Sequence, residues 1–214
     1  MPSFTGMGDK AHLLGPTITI DTFVQDLVEV IVREELADIV LVGHSFGGIP
    51  ISGVADRLPG RIAQLVYLDA VVVESGRNAF SYYPRSEVDA RLESAKRTTN
   101  SVAVPPPDPL PSVWGLGKPG DADYEFVRQQ LSPHPLRTYL TPLTLRAPVG
   151  NGLPRTYVTF SEPSHPLLEA SRQLVRSWPG WKWAELAVPH DSIITHPDDV
   201  SRLLLTISGQ GTLE

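Results

Sequence analysis

The residues with the clearest chemical meaning are Gly43-His44-Ser45-Phe46-Gly47, a G-x-S-x-G spacing that follows the apolar run Ile39-Val40-Leu41-Val42. So short a run of mostly β-branched side chains reads as a strand buried on both faces. The segment Ile49 to Leu58 behind it is compatible with a helix. A strand that turns into a helix over so few residues strains the serine backbone and crowds its neighbours. Glycine is therefore expected two positions before and two after the serine. The hydroxyl is then lifted above the sheet edge at the start of the helix, where it can attack a carbonyl. The spacing alone is a weak signal, but a strand before it and a helix after it make Ser45 the candidate nucleophile.

A serine attacks only if a base takes its proton in the transition state, and histidine suits that task at neutral pH. Six histidines are available: His12, His44, His134, His165, His190 and His196. His44 adjoins Ser45 but occupies the x of the turn, with its side chain expected away from the line of attack. His12, His134 and His165 lie in expected loops, and His196 reads as a helix-entry residue. His190 follows directly on an apolar stretch. A carboxylate is needed to hold the imidazole. Asp69 sits between Leu68 and Ala70-Val71, where a charge is costly unless it is paired, and a histidine would pair it. His190, Asp191, His196 and Asp198 offer a metal site as an alternative, but helical ligand spacings are absent and no metal or cofactor is expected.

The elements that must position these residues follow from periodicity. Residues 1–16 read as a loop broken by Gly6, Gly8, Gly15 and Pro16. Phe23, Leu27, Val30 and Ile31 recur at helical spacing, with Asp21 as N-cap and an end near Leu36. The strand Ile39–Val42, the helix ending near Pro59-Gly60 and the strand Ile62–Asp69 form a βαβ unit, whose strands should be parallel. Residues 71–152 are proline-rich and carry two helical patches, about Ser86–Arg97 and Asp121–Leu131. They read as a cap inserted over the C-terminal edge of the sheet, within one domain whose core is residues 1–70 and 153–214. Phe80, Tyr82, Tyr83, Trp114 and Leu116 argue against a disordered linker. They could line an apolar pocket or simply pack. The sheet resumes at Arg155–Phe160. A helix at about Pro166–Ser177, a last strand at Trp181–Val188 and a helix at Asp198–Ile207 behind Pro197 complete the chain.

The 214 residues suit one domain with a sizeable core. A formal net charge of −6, with scattered basic residues, speaks against nucleic acid or an anionic membrane as partner. There is no cysteine, which removes disulfides and thiol chemistry. No apolar run is long enough to span a bilayer and no signal peptide is read at Met1, so a cytoplasmic location is expected.

The elbow Gly43-His44-Ser45-Phe46-Gly47-Gly48, the capped middle and His190-Asp191 after the final strand together resemble the α/β-hydrolase superfamily. The nearer likeness is to small esterases similar to plant methylesterases and hydroxynitrile lyases. It is carried also by Thr5-Gly6-Met7-Gly8, His12-Leu13-Leu14, Leu65-Val66-Tyr67-Leu68-Asp69-Ala70 and Arg155-Thr156-Tyr157-Val158. It covers nearly the whole chain and implies a mostly parallel α/β sheet flanked by helices. It assigns the base to His190, in the order nucleophile, acid, base. The family's usual acid position, after the strand Arg155–Phe160, aligns with Pro163, next to Glu162. Asp69 stands where haloalkane dehalogenases carry their acid. Asp69 is the favoured acid and Glu162 the alternate. The Phe46 N–H is the oxyanion donor the resemblance still identifies.

The resemblance implies a carboxylesterase acting on a small-molecule ester. Its alternatives are a hydroxynitrile-lyase-like or biosynthetic tailoring enzyme using the same Ser/His pair, and a truncated non-catalytic chain. It also implies N-terminal strands and a second oxyanion loop ahead of where this chain begins. The expectations are a weakly active chain and an exposed sheet edge at Ile39–Val42 prone to self-association.

Overall fold

The computed structural model describes residues 2–209. Its elements in chain order are α1 (Ile20–Arg33), β1 (Ile39–His44), α2 (Gly48–Arg57), β2 (Ile62–Leu68), α3 (Arg85–Thr99), β3 (Ala103–Val104), α4 (Ala122–Gln130), β4 (His134–Pro135), α5 (Leu136–Leu140), β5 (Arg155–Phe160), α6 (Glu169–Ser177), β6 (Lys182–Leu186), α7 (Ser192–Thr195) and α8 (Pro197–Ile207). Four strands form one parallel sheet in the order β1-β2-β5-β6, and β3 pairs antiparallel with β4. The expected βαβ unit is present, with Leu41 opposite Leu65 and His44 opposite Leu68.

Alternation along the strands sorts the core into two layers. Leu65, Tyr67 and Tyr157 face the layer that holds Phe23 and Val24 of α1, Val54 of α2 and Val175 of α6. Val66, Leu68, Val158 and Phe160 face Val188 and Val200, covered by α8. Helices thus lie on both faces, which is why β2 reads as a nearly continuous apolar run and β5 is buried at every position after Arg155.

The edge strand departs from a both-faces-buried reading. Val40 and Val42 are each 37% exposed, because β1 is the outermost strand of the sheet among the described residues. α1 stops at Arg33, and Glu35 and Asp38 take positive φ in the connection to β1. Its first turn is closed by the Thr19 N–H donating to Thr22 Oγ1 at 3.1 Å, whereas Asp21 pairs with Arg57. The β3–β4 ribbon and α5 had no periodic signal, being two to five residues long. Among the described residues no helix is long and apolar enough to cross a membrane.

Candidate active site

The site forms at the C-terminal ends of the parallel strands, where successive elements diverge and leave a crevice. β1 ends at His44, Ser45 takes φ +53, and a short 3-10 turn, Ser45–Gly47, leads into α2. Positive φ in a non-glycine residue is strained, and it projects the hydroxyl clear of the backbone. A Cβ on Gly43 would lie 2.6 Å from the Gly47 carbonyl oxygen, so glycine is needed there. The second crowded position is Gly48 rather than Gly47. A Cβ on Gly48 would meet the Val71 carbonyl oxygen at 2.4 Å, while one on Gly47 would meet nothing within 4 Å. The reason is that the return chain after β2 crosses over α2's first residue. The Val71 N–H donates to the Ser45 carbonyl at 2.8 Å.

His190 lies in the loop after β6, buried to 3% exposure. Its Nε2 is 3.0 Å from Ser45 Oγ and its Nδ1 is 2.7 Å from Asp69 Oδ2. Asp69 is fully buried at the end of β2, with φ +38, and its N–H donates to the Val158 carbonyl. Burial raises the affinity of its carboxylate for a proton, but hydrogen bonds and charge from His190 and Arg172 outweigh burial and hold it below the ordinary carboxylate range. Glu162 is exposed on the loop after β5, and its N–H donates to the Val188 carbonyl. It is not among the partners of His190. Phe46 sits in the first turn beyond Ser45, where N–H groups have no acceptor within the helix.

Further contacts hold the loop carrying His190. The His190 N–H donates to the Val113 carbonyl at 3.3 Å and the Asp191 N–H to the Trp114 carbonyl at 3.1 Å. Ser192 Oγ donates to the Pro189 carbonyl. His44 Nε2–H donates to the His190 carbonyl at 2.9 Å. Burial, then the charge of His190, pushes His44 down to about 3, so its ring is neutral and its donor is engaged. His165, from an expected loop, lies edge-on to His190 with ring centres 4.6 Å apart. Burial and His190 push it down to about 4. His134 packs 4.6 Å from Phe46 and is pushed down to about 3 by burial and then by Arg91. None of these three carries a local sequence signal, since their neighbours come from distant segments. His12 is exposed, and His196 pairs with Thr195 Oγ1.

Among the described residues His44, His190 and Asp191 place one metal-ligating atom each within 4.8 Å of one another. His44 Nε2 and both His190 nitrogens already hold hydrogen bonds, so a metal there would have to dismantle the Ser45–His190–Asp69 chain. His196 and Asp198 are not part of that group.

The model of the alpha/beta hydrolase family matches residues 1–203. The chain is 30% identical over 217 residues to the carbendazim hydrolyzing esterase of Nocardioides sp., a match covering 96% of this chain and 86% of that one. Its structure is similar to that of an extracellular alpha/beta-hydrolase from a Paenibacillus species, which shares structural and functional homology with tobacco salicylic acid binding protein 2. The TM-score is 0.80 at 20% identity, over 96% of this chain and 85% of the other. It is also similar to a methylesterase protein from Arabidopsis, with TM-score 0.62 at 21% identity, over 97% of this chain and 85% of the other. At these identities the likeness to the two structures is one of fold.

Proposed function

The chain belongs to the alpha/beta hydrolase family and is an enzyme of its esterase kind, and from that premise we propose that it hydrolyses a small carboxylic ester through an acyl-enzyme on Ser45. The observation that carries the reading is the unbroken hydrogen-bond chain Ser45 Oγ to His190 Nε2 and His190 Nδ1 to Asp69 Oδ2. Ser45 O–H donates to Nε2, and Nδ1–H donates to the carboxylate, which sets the tautomer that leaves Nε2 free to accept. As Ser45 attacks the ester carbonyl, His190 takes its proton and Asp69 stabilises the imidazolium. The Phe46 N–H stabilises the oxyanion. His190 then protonates the leaving alcohol, and in the second half draws a proton from water to free the acid.

The insertion between β2 and β5 acts as the cap. It brings His134 and Tyr139 to ring-centre distances of 4.6 and 4.8 Å from Phe46, and Phe80 stacks on Tyr139 at 5.0 Å. These rings pack in the core against Phe46, the residue after Ser45, and such apolar aromatic surroundings suit an ester with an apolar part. The test is a panel of methyl and nitrophenyl esters, with carbendazim included because the Nocardioides relative is named for it. Alcohol and acid should appear together, and a fluorophosphonate should label Ser45. Ser45→Ala should abolish both labelling and turnover with the fold retained. Undiminished turnover in that variant would exclude the mechanism, and carbon–carbon cleavage without labelling would favour the lyase alternative.

A further inference from the structure

Burying a guanidinium is costly, and Arg172 on α6 is buried to 3% exposure beside Ser171 and Val175. Its position is explained by what it touches. Nη2 donates to Asp69 Oδ1 at 2.9 Å, and Nη1 donates to the His165 carbonyl at 3.1 Å and lies 3.5 Å from Glu169 Oε2. Its Nε is buried without a hydrogen-bond partner.

The geometry points to Arg172 as a positioning residue for the proposed reaction. Its planar fork fixes the Asp69 carboxylate so that Oδ2 faces His190. The two carboxylate oxygens have separate partners. Oδ1 accepts from Arg172 and, at 3.4 Å, from the Phe160 N–H, while among the described residues Oδ2 accepts only from His190. A carboxylate anchored through one oxygen in this way cannot rotate about its last bond without breaking a charge-assisted hydrogen bond. The other arm of the fork holds the His165 carbonyl, and the His165 ring stands against His190. One guanidinium therefore braces both the acid and a neighbour of the base. The expected division of labour is that α6, behind the strand whose loop would ordinarily hold the acid, instead supplies the cation that orients an acid from the strand beside it. Lysine cannot replace it, because one ammonium cannot span both acceptors in a fixed plane.

This inference rests on the proposed triad, and the experiment separates the two. Turnover is measured per serine labelled by a fluorophosphonate, so that unfolded protein does not count. Arg172→Met should lower kcat about 10- to 100-fold with KM within about twofold, the signature of misplaced catalytic groups rather than lost binding. Arg172→Lys keeps the charge, guards against a Met variant that fails to fold, and should fall between the two. In an Asp69→Asn background the same change at Arg172 should cost no more than about twofold, because the carboxylate it orients is gone. An unchanged kcat per labelled serine in Arg172→Lys, or an equal loss in both backgrounds, overturns the positioning role. If the unaltered enzyme neither labels nor turns over an ester, the triad reading falls and this inference falls with it.

Discussion

At the residue scale, the two candidate carboxylates differ in what they touch. Asp69 is fully buried and shares Oδ2 with His190, while Glu162 is exposed and lies outside that contact. Asp69→Asn should therefore lower kcat by on the order of 10³–10⁴-fold, because an amide can present the wrong group to Nδ1 and favour the wrong tautomer. Glu162→Gln should change kcat by less than about twofold. His190→Ala should cost about as much as Ser45→Ala, since in the proposed mechanism the two act as a unit. Steady-state kinetics on the four variants decides the assignment. A Glu162→Gln loss that exceeds the Asp69→Asn loss would transfer the acid to the loop after β5.

At the element scale, β1 does two things with one short run. Its C-terminal end delivers Ser45, and its outer side forms the sheet's described edge. Neither a proline nor a charged side chain interrupts Ile39-Val40-Leu41-Val42, and Val40 and Val42 are 37% exposed. Natural edges are usually blunted by such residues. Val32 and Leu36, which precede the strand, are also exposed at 51% and 39%. We propose that a second copy of the chain pairs with this edge, because an antiparallel pairing about a two-fold axis makes the edge its own complement. Size-exclusion chromatography with light scattering on this 214-residue chain should show concentration-dependent association, and Val40→Lys should reduce it. A monomer at every concentration, or an unaffected Val40→Lys variant, would refute the pairing.

At the scale of the whole molecule, three half-buried histidines, His44, His134 and His165, make stability depend on pH. His44 and His134 are pushed down from 6.5 to about 3 and His165 to about 4, in each case by burial first. The unfolded chain takes up these protons below about 6.5 and the folded chain only near 3 to 4. The stability they contribute is therefore complete above pH 6.5 and is lost as pH falls toward the folded values. The slope is at most about 1.4 kcal/mol per pH unit for each group. Asp191 works the other way. Burial raises it from 3.8 to about 6, against the charge of His190, so its contribution is present below 3.8 and lost as pH rises through 6. Three histidines outweigh one carboxylate, so the melting temperature should fall between pH 6.5 and 5. His134→Gln, which removes one titrating ring held by Thr138 at 2.8 Å, should flatten that fall. A melting temperature constant from pH 7 to 5 would contradict it.

What the sequence determined by itself is whatever contiguous residues encode. The strand, tight turn and helix around Ser45 occupy about twenty neighbouring positions, so periodicity and the Gly43 requirement made them legible. The strand Arg155–Phe160 was legible to the residue because its β-branched and aromatic residues are bounded by Pro154 on one side and Ser161-Glu162-Pro163 on the other. His190 was legible through chain order and the family likeness. Only the tertiary structure decided which carboxylate meets His190. Asp69 and Glu162 both stand at or just beyond strand ends in the sequence, and the difference arises where β2 and β5 lie side by side, with Asp69 and His190 121 positions apart in the chain. The same holds for Arg172, 103 residues from Asp69, for His44 on the His190 carbonyl and for the crowding at Gly48. Those contacts are set by how distant segments pack against each other. Propensity and spacing report only on neighbours along the chain, so such contacts have no local signature.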